Sequence, residues 1–302
     1  MTRPKNGPNI LRLVRKVLFG LALVLAGGGS ALTVYIIWLS VQSMQQALHP
    51  PQHGLQNIPL DIGGKPYQEI QFQTQDGLLL SGWYVPPKAG FGKVIILAHG
   101  YSENRGSLLP EASIFVNQGY GVFMFDLRGH GQSAPAEVTF GDRERLDWRA
   151  AVDFVAKQSG VTYIGGLGFS MGAVGLAGAA AEDPRIRAVI LEAAYASLED
   201  EIRYRARYFG PLSQLPALWT MQQAGINIKE VVPQKYVCEI SPRPVLLVYG
   251  VVDEFVPPQT AQIMAAACPS AKLWEVPGAG HGGFNKAAPQ EYPARLLEVF
   301  GQ

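Results

Sequence analysis

The sequence is poor in cysteine, in charge and in metal-ligand patterns, and each shortage removes a class of protein. Only two cysteines occur, Cys238 and Cys268, too few for a disulfide scaffold, and there is no Cys-x-x-Cys. If the domain is exported the two can pair; two free, buried thiols are the equal alternative. None of the five histidines, His49, His53, His99, His130 and His281, has a His or Cys at zinc-ligand spacing that suits a site, so no metal is implied, and no cofactor is implied either. Charged residues make up 16% of the chain and the net charge is +1, so no global field points to nucleic acid or to acidic partners. No repeat of solenoid or propeller period is visible. The 34 Gly and 22 Pro are scattered as turn punctuation and form no low-complexity tract.

Apolar residues, by contrast, are plentiful: 48% of 302 residues, high for a soluble chain long enough for one large domain or two small ones. Part of the excess sits at the N-terminus. Residues 1–16 carry Arg3, Lys5, Arg12, Arg15 and Lys16 and no acid, and residues 17–41 carry no charge. That run is about 25 residues, and about 20 cross a bilayer as a helix. Tyr35 and Trp38 lie near its far end, where aromatics prefer the interface. A signal-anchor is therefore expected at 17–41, with 1–16 a cytoplasmic tail, the membrane a partner through this helix, and the catalytic domain outside the cytoplasm. A cleaved signal peptide ending near Gly29-Ser30-Ala31 competes with it, although the apolar run continues to Leu39. A core helix of the soluble domain is the third reading. Residues 42–60, with Pro50, Pro51, Gly54 and Pro59, read as a linker.

The pattern changes in 61–302. Glu69 to Thr74, a turn at Gln75-Asp76-Gly77, and Leu78 to Val85 read as an antiparallel hairpin. Val94-Ile95-Ile96-Leu97-Ala98 is a short continuous apolar run, as in a strand buried on both faces. Similar runs recur at 120–125, 161–167, 188–193, 245–249 and 272–276, with helix-like stretches at 108–118, 143–158, 171–182, 258–267 and 290–300. This alternation predicts an α/β fold, a mostly parallel twisted sheet with helices on both faces. The interval 195–240 has no clear strand and reads as a helical cap over one end of the sheet; a packing helix pair without a role in binding is the plainer alternative.

Gly168-Phe169-Ser170-Met171-Gly172 lies where a strand meets a helix. A serine on such a strained turn stands exposed, and the small residues two positions away on either side let backbone and helix approach. Its hydroxyl is a weak nucleophile without a base. His281, after the run 272–276, supplies one, and Asp253, after 245–249, orients it. Glu254 is the rival acid. The oxyanion of an acyl transfer needs donors, and the N–H groups of Met171 and Tyr101 are the candidates. His99 reads as a loop support; Arg105 either braces the same loop or reaches the site. In Asp126-Leu127-Arg128-Gly129-His130-Gly131-Gln132-Ser133, a tight turn with Asp126 paired to Arg128 is preferred over an anion or metal site.

Together, His99-Gly100-Tyr101, Asp126-x-Arg128-Gly129-His130-Gly131-x-Ser133, Gly168-x-Ser170-x-Gly172, Gly250-x-x-Asp253 and Gly280-His281 resemble the α/β-hydrolase superfamily. The segments Glu192-Ala193-Ala194-Tyr195-Ala196-Ser197 and Val276 to His281 add a likeness to its serine-aminopeptidase-like, Bem46-like branch. The likeness covers about residues 65–300. It implies the α/β-hydrolase fold, the triad Ser170, Asp253 and His281, and Tyr101 and Met171 as oxyanion donors. The branch holds esterases, lipid hydrolases, thioesterases and peptidases, and several members carry an N-terminal membrane anchor.

Three functions follow. The first is hydrolysis of a carboxylic ester or thioester of a lipid or other acylated small molecule. The second is a peptidase with the same triad, for which Glu199, Asp200 and Glu201 in the cap are the only hint; they read better as a solvated face. The third is a catalytically silent binding protein on this fold. A serine nucleophile excludes aspartate-based displacement chemistry.

Overall fold

A computed structural model describes the backbone of residues 10–55 and 58–301, and the side chains of these except at 10–15, 17 and 21–26. Most of the basic tail expected at 1–16 lies outside the described residues. The chain opens with helix α1 (Ile10–Leu48). A hairpin of β1 (Gln68–Gln73) and β2 (Leu79–Val85) follows, then β3 (Lys93–Ala98), α2 (Leu109–Asn117), β4 (Gly121–Phe125) and α3 (Glu144–Ala156). Next come β5 (Tyr163–Phe169), α4 (Met171–Glu182), β6 (Ile186–Glu192), α5 (Leu198–Ala206), α6 (Gln214–Gln223) and α7 (Pro233–Ile240). The chain ends with β7 (Val245–Gly250), α8 (Thr260–Ala267), β8 (Lys272–Val276), the short α9 (Phe284–Ala287) and α10 (Glu291–Gly301).

The strands form one sheet in the order β1-β2-β4-β3-β5-β6-β7-β8. The hairpin pairs antiparallel at one edge, and β3 to β8 run parallel. The apolar runs are continuous because both faces are covered. In β3, Val94, Ile96 and Ala98 face the layer of α3, α4, α7 and α8, and Ile95 and Leu97 face that of α2 and α10. Phe123 and Phe125 against Val122 and Met124 repeat this alternation in β4. Each such side chain fully removed from water contributes about 1.5–3 kcal/mol.

The helical interval 195–240 divides differently from the expectation. The helices α5 and α6 form the cap, but α7 packs on α4 and α8 in the layer beside the sheet. Pro233 starts α7, and Val237 and Ile240 turn inward with helical spacing, which suits a layer helix.

At the N-terminus, α1 runs unbroken into the segment expected as linker, through Leu48. Ser40, Met44, Ala47 and Leu48 fall on one face of the helix and are buried or half-buried, with α1 lying along α6. Ser40 Oγ donates to Ser213 O at 2.7 Å, and Val138 N–H donates to Leu48 O at 2.9 Å. The next residues are also fastened: Gln52 Nε2 donates to Ser133 O and Asn104 Nδ2 to His53 O. Leu32, Val34, Tyr35, Ile37 and Trp38 face outward. Among the described residues no helix is long and apolar enough to cross a membrane. Cys238 on α7 is exposed and Cys268 after α8 is buried; both are free thiols.

Candidate active site

The parallel strands deliver their carboxyl ends to one edge, and the expected site residues lie there. Ser170 follows β5, its backbone at φ 50° and ψ −117°, the strained turn that aims the side chain outward. The strain is held in place by close backbone contacts. Ser170 N–H donates to Glu192 O at 2.7 Å. A Cβ on Gly172 would lie 2.4 Å from His99 O, so only glycine lets the first turn of α4 sit against the end of β3. Trp148 Nε1 donates to Gly172 O at 2.9 Å and fixes that turn from the other side.

Asp253 and His281 come from the loops after β7 and β8. These loops touch: a Cβ on Gly250 would lie 2.0 Å from Gly280 O. The approach brings His281 Nδ1 to 2.8 Å from Asp253 Oδ2 and His281 Nε2 to 2.9 Å from Ser170 Oγ. With Nδ1 protonated, the imidazole donates to Asp253 and accepts the serine hydroxyl. Asp253 Oδ1 accepts the N–H groups of Phe255 and Val256. Burial alone raises the Asp253 carboxyl; the hydrogen bond and charge of His281 and these two N–H groups outweigh it and hold the carboxyl below its ordinary value. Asp253 therefore stays ionised beside the imidazole. Glu254 lines the cleft between α1 and the cap instead. Phe169 and Phe255 flank the His281 ring at 5.3 and 5.1 Å between centroids.

Two N–H groups are placed to receive negative charge near Ser170. Met171 is the first residue of α4, so its N–H has no acceptor within the helix and lies at the positive end of the dipole. Tyr101 N–H, among the described residues, meets no backbone or side-chain acceptor, while its neighbours are engaged. Gly100 N–H donates to Glu103, and Ser102 N–H donates to His130 Nε2 at 3.0 Å.

The support of that loop differs in its pairing from the expectation. Asp126 does not pair with Arg128. It accepts from the Arg105 backbone at 2.7 Å, from Arg105 Nη1 at 2.5 Å and from the Gln132 backbone at 2.8 Å. Arg128 instead pairs with Asp147 on α3 and with Asp76 in the hairpin turn. Asp126 and Arg128 each meet a different element. Arg105 thus braces the loop and stacks on Trp83. His99 is a support as well: its Nε2 accepts Leu127 N–H at 3.1 Å and its Nδ1 donates to Gly100 O at 2.7 Å. Burial, with His130 nearby, lowers His99 to about 3, so it stays neutral and keeps both bonds.

Two cavities border the triad residues, one at Ser170 and one at His281. A small closed one, about 90 Å³, holds Ser170 and Met171 under Tyr101, Phe140, Tyr195 and cap residues of α5 and α6. An open cleft of about 580 Å³ lies past His281, among Glu103, Glu111, Asn285 and Lys286. The cap therefore covers the site and is more than a packing pair. Within the closed cavity stands a residue whose role the sequence conceals. Glu201 belongs to a run of three acids that reads as a solvated face, but its side chain is 3% exposed. It pairs with Arg205, and its Oε2 has no hydrogen-bond partner. Burial raises its carboxyl, against the lowering by Arg205. The signal lies in helical spacing: Leu198, Glu201, Ile202 and Arg205 share one face, and all line the cavity. Met44 and Ala47 of α1 line it too, a contribution concealed in the segment expected as linker.

Behind the nucleophile, the Glu192 carboxyl is buried and accepts from Tyr292 at 2.7 Å, and Tyr292 also reaches Glu111 at 3.3 Å. Burial and then Glu111 raise Glu192 to about 8, so it is mostly protonated at neutral pH. Among the described residues no group of His, Cys, Asp and Glu is arranged to hold a metal ion.

The chain is similar to several known proteins. The family model described as serine aminopeptidase, S33, matches residues 91–237, and that of TAP-like proteins matches residues 217–293. Protein bem46 of Schizosaccharomyces pombe is 27% identical over 238 residues, 74% of this chain and 73% of that one. The uncharacterised YfhR of Escherichia coli O157:H7 is 28% identical over 208 residues, 65% of this chain and 66%, just under two thirds, of its own length. Thiohydrolase aneE of Aspergillus aculeatus is 33% identical over a shorter 131 residues, 42% of this chain and 41% of that one. Among solved structures, an esterase of Pyrococcus furiosus shares the fold with a TM-score of 0.70 and 25% identity, over 84% of this chain and 97% of that one. Sheet order, strand-end loops and these likenesses agree: the chain belongs to the α/β-hydrolase superfamily and is similar to its Bem46-like branch.

Proposed function

We propose that this hydrolase cleaves carboxylic esters or thioesters of acylated small molecules or lipids through an acyl-enzyme on Ser170. The observation that carries the reading is the single imidazole of His281 within hydrogen-bond reach of both Ser170 Oγ and Asp253. His281 takes the Ser170 proton as Oγ attacks the carbonyl carbon, and Asp253 stabilises the imidazolium that forms. The N–H groups of Tyr101 and Met171 receive the oxyanion. His281 then gives the proton to the leaving alcohol or thiol, which departs on the His281 side, into the open cleft. Water, activated by the same imidazole, releases the acid and restores Ser170. The apolar lining of the closed cavity suits the acyl group. Purified protein should hydrolyse p-nitrophenyl and acyl-thiol esters, and Ser170→Ala should abolish this; equal turnover by the variant would remove the reading.

The tether belongs to the same proposal. The uncharged run 17–41 lies within α1, whose outward residues include Tyr35 and Trp38, and the cap exposes Leu212, Leu215 and Trp219. Such a surface suits a bilayer, with the basic tail cytoplasmic and the catalytic domain outside. Protease added outside intact cells should remove the catalytic domain; full protection contradicts this orientation.

One observation favours peptidase action as a second reading. Glu201 lines the cavity of Ser170, and its buried Oε2, which has no hydrogen-bond partner, would accept a substrate ammonium. Aminoacyl amides cleaved faster than simple esters, with the preference lost in Glu201→Gln, would favour it.

A further inference from the structure

The closed cavity around Ser170, about 90 Å³, is too small for a long chain, and a second space adjoins it. A second cleft of about 360 Å³ lies between α1 and the cap, lined by Ser40, Ser43, Tyr208, Phe209 and Phe255. Three residues line both spaces: Met44, Ala47 and Arg205. Arg205 is held to Glu201 and lies over the Phe255 ring, so its position is fixed from the cap side. The opposite wall is the helix α1. Met44 is an unbranched side chain with several rotatable bonds, half-buried between the two spaces, and Ala47 is one helical turn further on. The last turns of α1 are fastened to the domain at Ser40 and Leu48, on either side of this pair, so the wall is part of the folded domain.

Resting on the esterase reading above, we propose that Met44 and Ala47 of the N-terminal helix set acyl-chain length. Short acyl groups stay in the cavity at Ser170. Longer ones pass Met44 and continue along α1 in the cleft under Tyr208 and Phe209. The cleft wall is mostly apolar, with Ser40, Ser43 and Glu254 and the stems of Arg205 and Arg207 beside the apolar side chains, so a hydrocarbon chain leaves water along most of its length as it enters. One methylene more or less in a fitted apolar pocket changes kcat/KM by about 10-fold or more. The helix that carries the apolar N-terminal run thereby becomes a part of the substrate site.

The test uses the full chain and p-nitrophenyl esters from acetate to dodecanoate, read as the ratio of kcat/KM for dodecanoate to that for acetate. Ala47→Phe, which fills the passage, should lower the ratio about 10-fold or more. Met44→Ala, a smaller and gentler change, should raise it several-fold. Gln45→Phe, on the exposed side of the same turn, should leave the ratio at the wild-type value. Ratios unchanged in both Ala47→Phe and Met44→Ala, or shifted equally by Gln45→Phe, would overturn the proposal and leave the esterase reading intact. A wild type that hydrolyses no member of the series would instead sink that reading, and this one with it.

Discussion

The floor and the roof of this site are built from different materials. The floor is backbone packed so closely on backbone that a Cβ would collide, as at Gly172 under His99 O and Gly250 against Gly280 O, and joined by hydrogen bonds such as Ser170 N–H on Glu192 O. Buried charge locks it, with Arg105, Asp126, Arg128 and Asp147 all almost fully buried. The roof is side chain on side chain: Met44 and Ala47 from α1, Leu198 and Ile202 from α5, Met221 from α6. Its outer surface leaves Tyr208, Leu215 and Trp219 exposed. A floor of this kind fixes reacting atoms to within a few tenths of an ångström, as chemistry requires. A roof of this kind tolerates changed volume, as selection among substrates requires. Changes in the floor should therefore remove activity or stability, and changes in the roof should redirect them.

The largest effect should come from the floor's reacting groups. Asp253→Asn should lower kcat about 10⁴-fold with the fold intact, because the amide no longer holds the imidazole in its working tautomer. A loss of about tenfold or less, measured on any ester the wild type cleaves, would mean that another group orients His281. Next in size is the floor's bracing. Arg105→Ala leaves Asp126 buried without its counter-charge and should cost about 3–5 kcal/mol in urea denaturation. A cost below about 1 kcal/mol would show that backbone contacts alone hold the loop.

Glu192 gives the floor a pH signature. Its folded value of about 8 lies above the ordinary 4.5, so the folded state keeps a proton that the unfolded state releases. Stability from this group is complete below about pH 4.5 and is lost as pH rises through about 8. Glu192→Gln keeps a partner for Tyr292 and cannot ionise. Relative to the wild type it should gain on the order of 2–4 kcal/mol between about pH 5 and pH 9. A stability difference constant across that range would place the carboxylate, not the acid, in the folded protein. The smallest effect belongs to the roof's outer face: Trp219→Ser should change stability by no more than about 0.5 kcal/mol while weakening retention on anionic vesicles. A large loss of stability would make Trp219 a packing residue.

The same division decides what can be read from the sequence. Strands buried on both faces announce themselves as apolar runs, so the expected runs Val94 to Ala98 and Lys272 to Val276 fall within the strands observed. The helix expected at 171–182 has the observed ends, because the glycine-flanked serine marks its start. Ser170, Asp253 and His281 each follow a strand, and strand ends converge in a parallel sheet. The roof offers no such rule. Glu199, Asp200 and Glu201 are consecutive, and although helical spacing groups Glu201 with Leu198 and Ile202, only the docking of α5 decides that this face enters the cavity. The pairing of Arg128 with Asp147 rather than Asp126 depends on where α3 docks. The hold of α1 on the cap hides in a segment whose prolines suggest a linker, since the helix ends just before Pro50.

The central claim is that Ser170 is an activated nucleophile, and covalent labelling tests it most directly. A fluorophosphonate should add one phosphonyl group to the folded wild type, mapped by peptide mass to the segment holding Ser170. Ser170→Ala should take up none, and His281→Ala should react far more slowly. Labelling that persists in Ser170→Ala, or a folded wild type that remains unlabelled, would contradict the account.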